Sequence, residues 1–418
     1  MRRRWFILAD DLTGAADCAI AFARRGSTAE LSWGIGPLGF SESADVIAFD
    51  ANSRMLSAQS AAQTQQTALS KLYDGQRTLF KKIDSTMRGQ PAAETAAVLK
   101  HICARTGSAL GVLAPAFPDA KRTMIGGCVQ VDGLPLEQTD LWRRDHGYAS
   151  ADLATMLATA GIDAHKVSLE VVRSDPAMLR AALESRTHAG TAVAICDAET
   201  NGDLRRIAAA CLPMLDRTLL VGSAGLAHAF AAMEPETMRE KLFPKQSDKG
   251  ALIVVGSLAA ASRAGARALA NSGLAAHVSI SAQTLLYDQD GCAALGRQAA
   301  ALLDTGANVL VEISAEGEID MSLGPQLAAV LASALSPALS RIGALAVTGG
   351  ETASALLSQL GVHRLQLIDE IETGIAISIS LGAVSIPVAT KAGAFGDENS
   401  LIRMTNCISA ISKRGNLQ

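Results

Sequence analysis

Short apolar runs recur along the chain, and most of them stop at turn residues that precede a stretch with helical spacing. The first half contains FILADD, DVIAFDANSR, LFKKIDST, ALGVLAPAFP, AVAICDAE and TLLVGSAG, and the second contains ALIVVGS, NVLVEIS, ALAVTGGET and AISISLG. Strands that alternate with helices are typical of parallel sheets with crossover connections. The pattern therefore predicts an α/β fold. Ala-rich stretches such as SADLATMLATAG and AALGRQAAALLDTG fit the helices that would cover the sheets.

The two series of strands are separated by MEPETMREKLFPKQSDKG, residues 233–250. This segment has two prolines, mixed charge and little apolar periodicity towards its end, as expected of a linker. We expect two domains, residues 1–232 and 251–418, each a mainly parallel sheet with flanking helices, and a cleft between them. The first half of the linker is compatible with a short helix, and a discontinuous domain arrangement stays open.

Composition narrows the class of protein. The 418 residues are 49% hydrophobic and 19% charged, with a net charge of −4, so sizeable cores can form and a basic nucleic-acid-binding face is not expected. Seven cysteines without a C-x-x-C pair indicate reduced thiols. The N-terminal apolar run is too short for a signal peptide, and no stretch has transmembrane character. These features predict a cytoplasmic protein without nucleic-acid or membrane partners, and leave a homo-oligomer open.

Polar residues follow several predicted strands, where open parallel sheets bind their ligands. Asp10 and Asp11 follow FILA. At least one of these aspartates is expected to cap the next helix, whose N-cap residue would be Asp11 or Thr13. The other carboxylate is free to contact substrate hydroxyls, act as a base or bind Mg²⁺ through water. Arg54 ends DVIAFDANSR and suits a carboxylate or phosphate, although a surface salt bridge is an equal alternative.

A third group, KKIDSTMRG at residues 81–89, crowds cations, hydroxyls and a carboxylate into one turn. It could serve an anionic substrate that also carries alcohols. The loop APAFPDAKRT, with a hairpin expected after it, is either a pocket wall or a packing loop.

Glycine-bearing turns mark strand ends in the second half. They are VGS at 255–257, TGGET at 348–352 and KAGAFG at 391–396. Backbone N–H groups at glycines and helix N-termini bind phosphates, so three such turns favour a phosphate ligand. Neither a P-loop nor a dinucleotide fingerprint is present. The GSAG segment at 222–225 lacks nucleophile-elbow spacing and does not favour a hydrolase.

Taken together, these segments resemble the four-carbon acid sugar kinase family. The resemblance rests on ADDLTGAAD, FDANSR, KKIDSTMRG, APAFPDAKRT with VDGLPL, VGSAGLA, VVGSLAAASRAG, VTGGETA, GIAIS and ATKAGAFGDENSL, which cover nearly the whole chain in order. It implies an N-terminal acid-sugar-binding domain and a C-terminal nucleotide-binding domain. The implied reaction is ATP-dependent phosphorylation of the terminal (C4) hydroxyl of a four-carbon sugar acid, with Mg²⁺ on the ATP phosphates.

Asp11 and Asp84 are the predicted catalytic residues, because carboxylates at these positions can bind the substrate hydroxyls and one of them can deprotonate or orient the attacking alcohol; no metal ligands are assigned. Residue by residue, the resemblance implies acid-sugar contacts at Asp11, Arg54, Lys82, Ile83, Asp84 and Ser85, and ATP contacts at Ser257, Thr348, Gly349, Gly350, Glu351 and Gly393. Asp10 is expected to be a second acid-sugar contact or a structural partner of Asp11. The opening DDLTGAAD departs from the DDFTGATD that 3-oxo-tetronate kinases more often resemble, which favours D-threonate over 3-oxo-tetronate; D-erythronate stays open. Outside this class, a non-catalytic sugar-acid or nucleotide sensor and a nicotinamide dehydrogenase are alternatives, and the missing dinucleotide fingerprint disfavours the latter.

Overall fold

The computed structural model describes residues 2–34, 40–145, 147–185, 191–238, 243–257, 259–314, 323–393 and 395–414. The chain forms two compact units: the first comprises Met1–Ala29 and Phe40–Met238, and the second comprises Glu30–Gly39 and Arg239–Gln418. Within the predicted linker, residues 239–242 lie outside the described part of the chain, as do Leu258 and Ala394 of two glycine turns. The described linker residues, 233–238 and 243–250, contain neither helix nor strand.

The elements of the first half of the chain alternate as the apolar pattern predicts. The strands are β1 (Trp5–Ala9), β2 (Ala29–Trp33), β3 (Val46–Asp50), β4 (Thr78–Lys82), β5 (Ala109–Ala114), β6 (Arg122–Ile125), β7 (Cys128–Val131), β8 (Leu134–Pro135), β9 (Asp163–Val167), β10 (Thr191–Cys196) and β11 (Thr218–Gly222). The helices are α1 (Leu12–Ala23), α2 (Ala58–Leu72), α3 (Pro91–Thr106), α4 (Asp140–Asp145), α5 (Leu153–Ala158), α6 (Leu169–Val172), α7 (Pro176–Glu184), α8 (Asn201–Cys211) and α9 (Ala224–Ala231). Short 3₁₀ helices span Pro118–Ala120, Leu136–Gln138 and Leu212–Arg217.

The main sheet of the first unit is parallel throughout, in the order β3-β1-β4-β11-β5-β10-β9. Every residue of β1, β3, β4, β5 and β11 is buried, because helices cover both faces of such a sheet. This double burial explains why the sequence shows continuous apolar runs rather than alternation. The predicted hairpin after APAFPDAKRT is confirmed: β6 and β7 pair antiparallel across the Gly126–Gly127 turn.

The second half of the chain supplies the remaining elements. Its strands are β12 (Ala251–Val255), β13 (Ala276–Ser281), β14 (Val309–Ser314), β15 (Ala344–Thr348), β16 (Val362–Glu372), β17 (Ile375–Gly382) and β18 (Pro387–Lys391). Its helices are α10 (Ala260–Ser272), α11 (Ala282–Tyr287), α12 (Gln289–Asp304), α13 (Gly324–Ala334), α14 (Ser336–Leu339), α15 (Gly350–Gln359) and α16 (Ser400–Arg414). The strand order within the second unit is β13-β14-β12-β15-β18-β17-β16-β2.

The first five strands of that order are mutually parallel, which confirms the mainly parallel α/β class. AISISLG was expected to belong to the parallel series, and this expectation is wrong for β17. It pairs antiparallel with both neighbours. The pairing with β16 follows from the connection, because only Thr373 and Gly374 join the two strands and a two-residue turn can connect only antiparallel strands. Gly374 has the positive φ of 80° that this tight turn needs.

The described part of segment 30–39 groups with the second unit, although its place in the chain put it in the first predicted domain. Its contacts explain the grouping: the Trp33 indole donates to Ser358 Oγ at 2.9 Å, and Arg364 Nη1 lies 3.3 Å from Glu30 Oε2. Among the described residues, no helix is both long enough and apolar enough for a membrane span. All seven cysteines are free.

Candidate functional site

The end of β1 places two carboxylates at the start of α1. Asp11 is the N-cap, as one of the two predicted capping residues, and accepts hydrogen bonds from Gly14 N at 3.1 Å and Thr13 Oγ1 at 2.6 Å. Asp10 is almost fully buried, whereas the Asp11 side chain is 16% exposed. Asp11 therefore combines a capping role with the better access to a ligand.

Arg54 joins the two aspartates. Its Nε donates to Asp10 Oδ2 at 2.7 Å and its Nη2 to Asp10 Oδ1 at 2.9 Å, so the guanidinium grips this carboxylate in a bidentate pair. Nη2 also donates to Asp11 Oδ1 at 2.7 Å. Burial alone would raise the pKa of Asp10, but the charges of Arg54 and Lys82 outweigh it and hold the pKa below 3.8. The Nε and Nη2 donors of the Arg54 guanidinium are therefore bonded to Asp10 and Asp11 rather than left for a ligand.

Asp84 follows β4 and is held from several sides. Arg88 donates Nε to Oδ2 at 3.0 Å and Nη2 to Oδ1 at 2.8 Å, while Thr86 donates its backbone N–H and its hydroxyl to Oδ2. Burial alone would raise the pKa of Asp84. The charges of Arg88 and then Arg54 outweigh burial and hold this pKa well below 3.8. A carboxylate this acidic and this well bonded is a weak proton acceptor, so it serves better as an anchor for the turn than as a base.

Lys82, the last residue of β4, is only 4% exposed. Within the described part of the chain its ammonium makes no hydrogen bond or ion pair. It lies over the start of α1, because a Cβ added at Gly14 would fall 2.6 Å from Lys82 Nζ and 2.4 Å from Asp11 Oδ1. A buried ammonium without a direct partner is costly, and a bound anion would supply that partner.

The other two predicted positions in this turn differ in what they offer. Ser85 is buried, and its hydroxyl accepts a hydrogen bond from Arg122 of β6, which brings a further cation to the turn. Burial lowers the pKa of Arg122, with Asp84 acting against this effect. Ile83 contributes no polar side-chain group, and its backbone N–H already donates to Gly222 O at 2.9 Å.

The sequence analysis assigned no role to the buried groups behind this cluster, although KKIDSTMRG contains Lys81 and FDANSR contains Asp50. Lys81 is completely buried, forms an ion pair with Glu94 Oε2 at 2.9 Å and donates to Lys82 O at 2.7 Å, so it fixes the end of β4. Asp50 ends β3 beside β1, in register with Ala9. Burial, and then the neighbouring Asp11 charge, raise the pKa of Asp50 to about 8. The only signal in the sequence was the position of these residues at strand ends.

We refer to Asp10, Asp11, Arg54, Lys82 and Asp84 as the first-unit cluster. The polar side chains of the GSAG segment and of the helix after it have structural contacts. Ser223 caps α9 by accepting from Gly225 N at 3.3 Å, and its hydroxyl donates to Ala116 O at 3.0 Å. His228 Nε2 lies 3.3 Å from the Asp17 carbonyl oxygen.

In the second unit, three glycine-bearing turns follow neighbouring parallel strands. Val255 of β12 is in register with Thr348 of β15, and Thr348 is in register with Lys391 of β18. The turns after these residues therefore lie side by side at one edge of the sheet. We refer to residues 255–257, 348–351 and 391–393 as the second-unit turns; they contain every predicted nucleotide contact, namely Ser257, Thr348, Gly349, Gly350, Glu351 and Gly393.

The backbone of the second-unit turns comes close to neighbouring side chains. A Cβ at Gly393 would lie 2.2 Å from Ser257 Oγ, so a larger residue there would force the Ser257 side chain to move. Thr348 is fully buried, and its hydroxyl accepts from Ser257 N at 3.4 Å. Gly349 adopts a positive φ of 93° and forms the N-cap of α15 without a side-chain cap, whereas α1 and α9 are capped by side chains. The first turn of α15, which contains Glu351, therefore starts without a side-chain N-cap, as anion-binding helix starts often do.

These features fit a phosphate-bearing cofactor. A helix start that lacks a side-chain cap offers N–H donors and a favourable dipole to an anion, and glycine turns let the ligand approach the backbone. Among the residues that the structure describes, no group of three or more His, Cys, Asp or Glu is arranged to hold a metal ion.

Two family descriptions match the chain. One covers the part that contains the first-unit cluster, and the other covers the part that contains the second-unit turns. The first, a sugar-binding N-terminal domain, matches residues 5–230, and the second, a nucleotide-binding C-terminal domain, matches residues 252–401. A D-threonate kinase of Cupriavidus necator is 38% identical over 408 residues, covering 95% of this chain and 96% of that protein. The chain belongs to the four-carbon acid sugar kinase family.

Other proteins are similar to this chain over nearly its whole length. A D-erythronate kinase of Heliobacterium modesticaldum is 27% identical, covering 94% of each chain. The crystal structure of the Haemophilus influenzae protein HI1011 is 20% identical, with a TM-score of 0.72, and the match covers 96% of this chain and all of that one. This last similarity concerns the fold alone.

Proposed function

We propose that this protein transfers the γ-phosphoryl group of ATP to the C4 hydroxyl of a four-carbon sugar acid, with D-threonate as the substrate. The observation that carries the proposal is Lys82, a buried ammonium without a direct partner in the described part of the chain, beside carboxylates that can bind hydroxyls. A sugar acid combines the two complementary groups, a carboxylate and several alcohols.

In the first-unit cluster, Lys82 receives the substrate carboxylate. Asp11 accepts hydrogen bonds from the substrate hydroxyls, because it is the more exposed of the two aspartates after β1. Arg54 holds both aspartates in place, and the strongly acidic Asp84 anchors the turn that carries Lys82. Phosphoryl transfer depends mainly on positioning and charge stabilisation, so a strongly basic residue is not required.

In the second-unit turns, the α15 N-terminus and Gly393 would hold the ATP phosphates. The nucleotide supplies the phosphoryl group, and Mg²⁺ neutralises charge that develops on it. The protein residues bind and orient the cofactor: Ser257 packs against Gly393, and the amides of α15 face the negative charge.

D-Threonate is proposed over other four-carbon acids because the relative named D-threonate kinase shares 38% identity, against 27% for the relative named D-erythronate kinase. The DDLTGAAD opening supports the same choice over a 3-oxo-tetronate. The first-unit cluster would accept the carboxylate of any of these acids, so the preference depends on how the C2 and C3 hydroxyls meet Asp11.

The test is a coupled ADP-release assay with ATP, Mg²⁺ and a panel of D-threonate, D-erythronate and a 3-oxo-tetronate. We expect turnover to be highest with D-threonate, and the product to carry phosphate on C4. Turnover confined to one of the other acids would refute the substrate assignment. A ligand that raises the melting temperature without ADP release from any acid would instead identify a sensor.

A further inference from the structure

Lys391, the last residue of β18, is completely buried. Its ammonium donates to Ser262 Oγ at 3.2 Å, to Gly393 O at 3.2 Å and to Ala392 O at 3.4 Å. In the described chain no carboxylate lies within ion-pair distance of it. Burial lowers the pKa of Lys391 to about 8, with Glu372 opposing this effect from a distance. Burying an ammonium without an ion pair is costly, which raises the question of what it does here.

The ammonium draws two successive backbone carbonyls towards itself. In a trans peptide the C=O and N–H groups point in opposite directions, and no cis peptide occurs in the described chain. With Ala392 O directed at Lys391, the N–H of Gly393 must face away from the ammonium. Among the described residues this N–H donates no hydrogen bond, so it is left for a ligand.

Lys391 also connects the three second-unit turns. Its backbone carbonyl accepts from Gly349 N at 2.9 Å, which ties it to the turn before α15. Ser262 of α10 donates to Gly393 O at 2.9 Å, and Gly393 in turn packs against Ser257 after β12. A substitution at Lys391 would therefore alter the backbone position of each turn where a nucleotide contact is predicted.

We propose that Lys391 is a positioning residue of the nucleotide site: its buried ammonium fixes the turn after β18 so that the Gly393 N–H is presented to a nucleotide phosphate. This inference rests on the proposed function. Lys391 does not itself touch the ligand, since its three donors are taken up by Ser262 and the turn carbonyls. Its role resembles that of Lys81, which fixes the end of β4 in the first unit.

The test compares Lys391→Met with Lys81→Met, since both remove a fully buried ammonium at a strand end. Binding of ATP with Mg²⁺ and of D-threonate is measured separately by calorimetry, and KM is measured for each. We expect Lys391→Met to weaken ATP binding and raise its KM at least tenfold while D-threonate binding changes less than twofold. Lys81→Met should show the reverse selectivity.

Ser262→Ala is a milder variant, in case Lys391→Met does not fold, because it keeps the ammonium but removes one of its acceptors. We expect it to weaken ATP binding several-fold and to leave D-threonate binding unchanged. Unchanged ATP binding in Lys391→Met and Ser262→Ala, or equal loss of both ligands, would overturn the inference while the proposed function stands. Failure of the wild-type protein to bind ATP would overturn both.

Discussion

Arg54 and Asp10 form a bidentate ion pair in which two nitrogens of one guanidinium meet two oxygens of one carboxylate, at 2.7 and 2.9 Å. The same Nη2 bonds Asp11, so one side chain holds both carboxylates that follow β1. The sequence suggested that this arginine binds the substrate directly. The contacts indicate that Arg54 uses its Nε and Nη2 donors to orient Asp10 and Asp11.

Replacing Arg54 with lysine should weaken acid-sugar binding, because an ammonium cannot reproduce the planar fork. We expect the KM for D-threonate to rise about tenfold or more, as charge-assisted hydrogen bonds contribute roughly 1.5–3 kcal/mol each. The matched control is Arg173→Lys, which breaks a bidentate pair with Asp203 of the same geometry on α8. Equal KM values for Arg54→Lys and the wild type would contradict the orienting role.

Lys82→Met should separate binding from stability. We expect the KM for D-threonate to rise about 10- to 100-fold, since the carboxylate loses its cation. The free energy of unfolding should change by less than about 1 kcal/mol, because no directly bonded partner is left behind. Steady-state kinetics and chemical denaturation measure the two quantities.

Lys81→Met is the control for the neighbouring lysine. Removing Lys81 leaves Glu94 buried without its ion pair, so we expect a loss of about 3–5 kcal/mol in unfolding free energy. If Lys82→Met destabilised the protein as much as Lys81→Met does, the ammonium of Lys82 would have to be a structural group.

Gly14→Ala should damage the first-unit cluster although alanine is the better helix former by about 1 kcal/mol. The added methyl would fall 2.4 Å from Asp11 Oδ1 and 2.6 Å from Lys82 Nζ, so one or both must move. We expect turnover of D-threonate to fall at least tenfold while ATP binding is kept. Gly147→Ala is the control, because a Cβ there meets nothing within 4 Å. Wild-type kinetics in Gly14→Ala would show that this close packing is dispensable.

The apolar runs predicted the parallel core well, since continuous hydrophobicity in β1, β5 or β12 reflects burial on both faces. They missed β9 and β13, whose exposed edges carry polar residues such as Asp163 and His277. The antiparallel direction of β17 depended on the two-residue Thr373–Gly374 turn, which the strand pattern alone does not reveal.

The strand-end rule also predicted which residues meet in the first-unit cluster, because carboxyl ends of neighbouring parallel strands share one edge. The rule could not predict which of these charged side chains form ion pairs with one another. Whether Arg54 is committed to Asp10, or Lys82 is left without a partner, depends on side-chain geometry across three strands. The substrate-binding roles of these residues stay predictions.

Asp50 should make the protein less stable as pH rises. Its pKa is raised to about 8 in the folded state from an ordinary 3.8, so between about pH 4 and 8 the folded protein keeps a proton that the unfolded chain has lost. The folded state then binds more protons, and the unfolding free energy falls with pH across this window and levels off above it.

Asp50→Asn should remove this decline, because the amide resembles the protonated acid and does not ionise. We expect the variant to gain at least about 1 kcal/mol over the wild type at pH 8 and little at pH 4. Calorimetric unfolding at several pH values provides the measurement, and Asp45→Asn, one residue before the same strand, controls for a general charge effect. Parallel pH profiles for wild type and Asp50→Asn would mean that Asp50 is ionised in the folded protein at neutral pH.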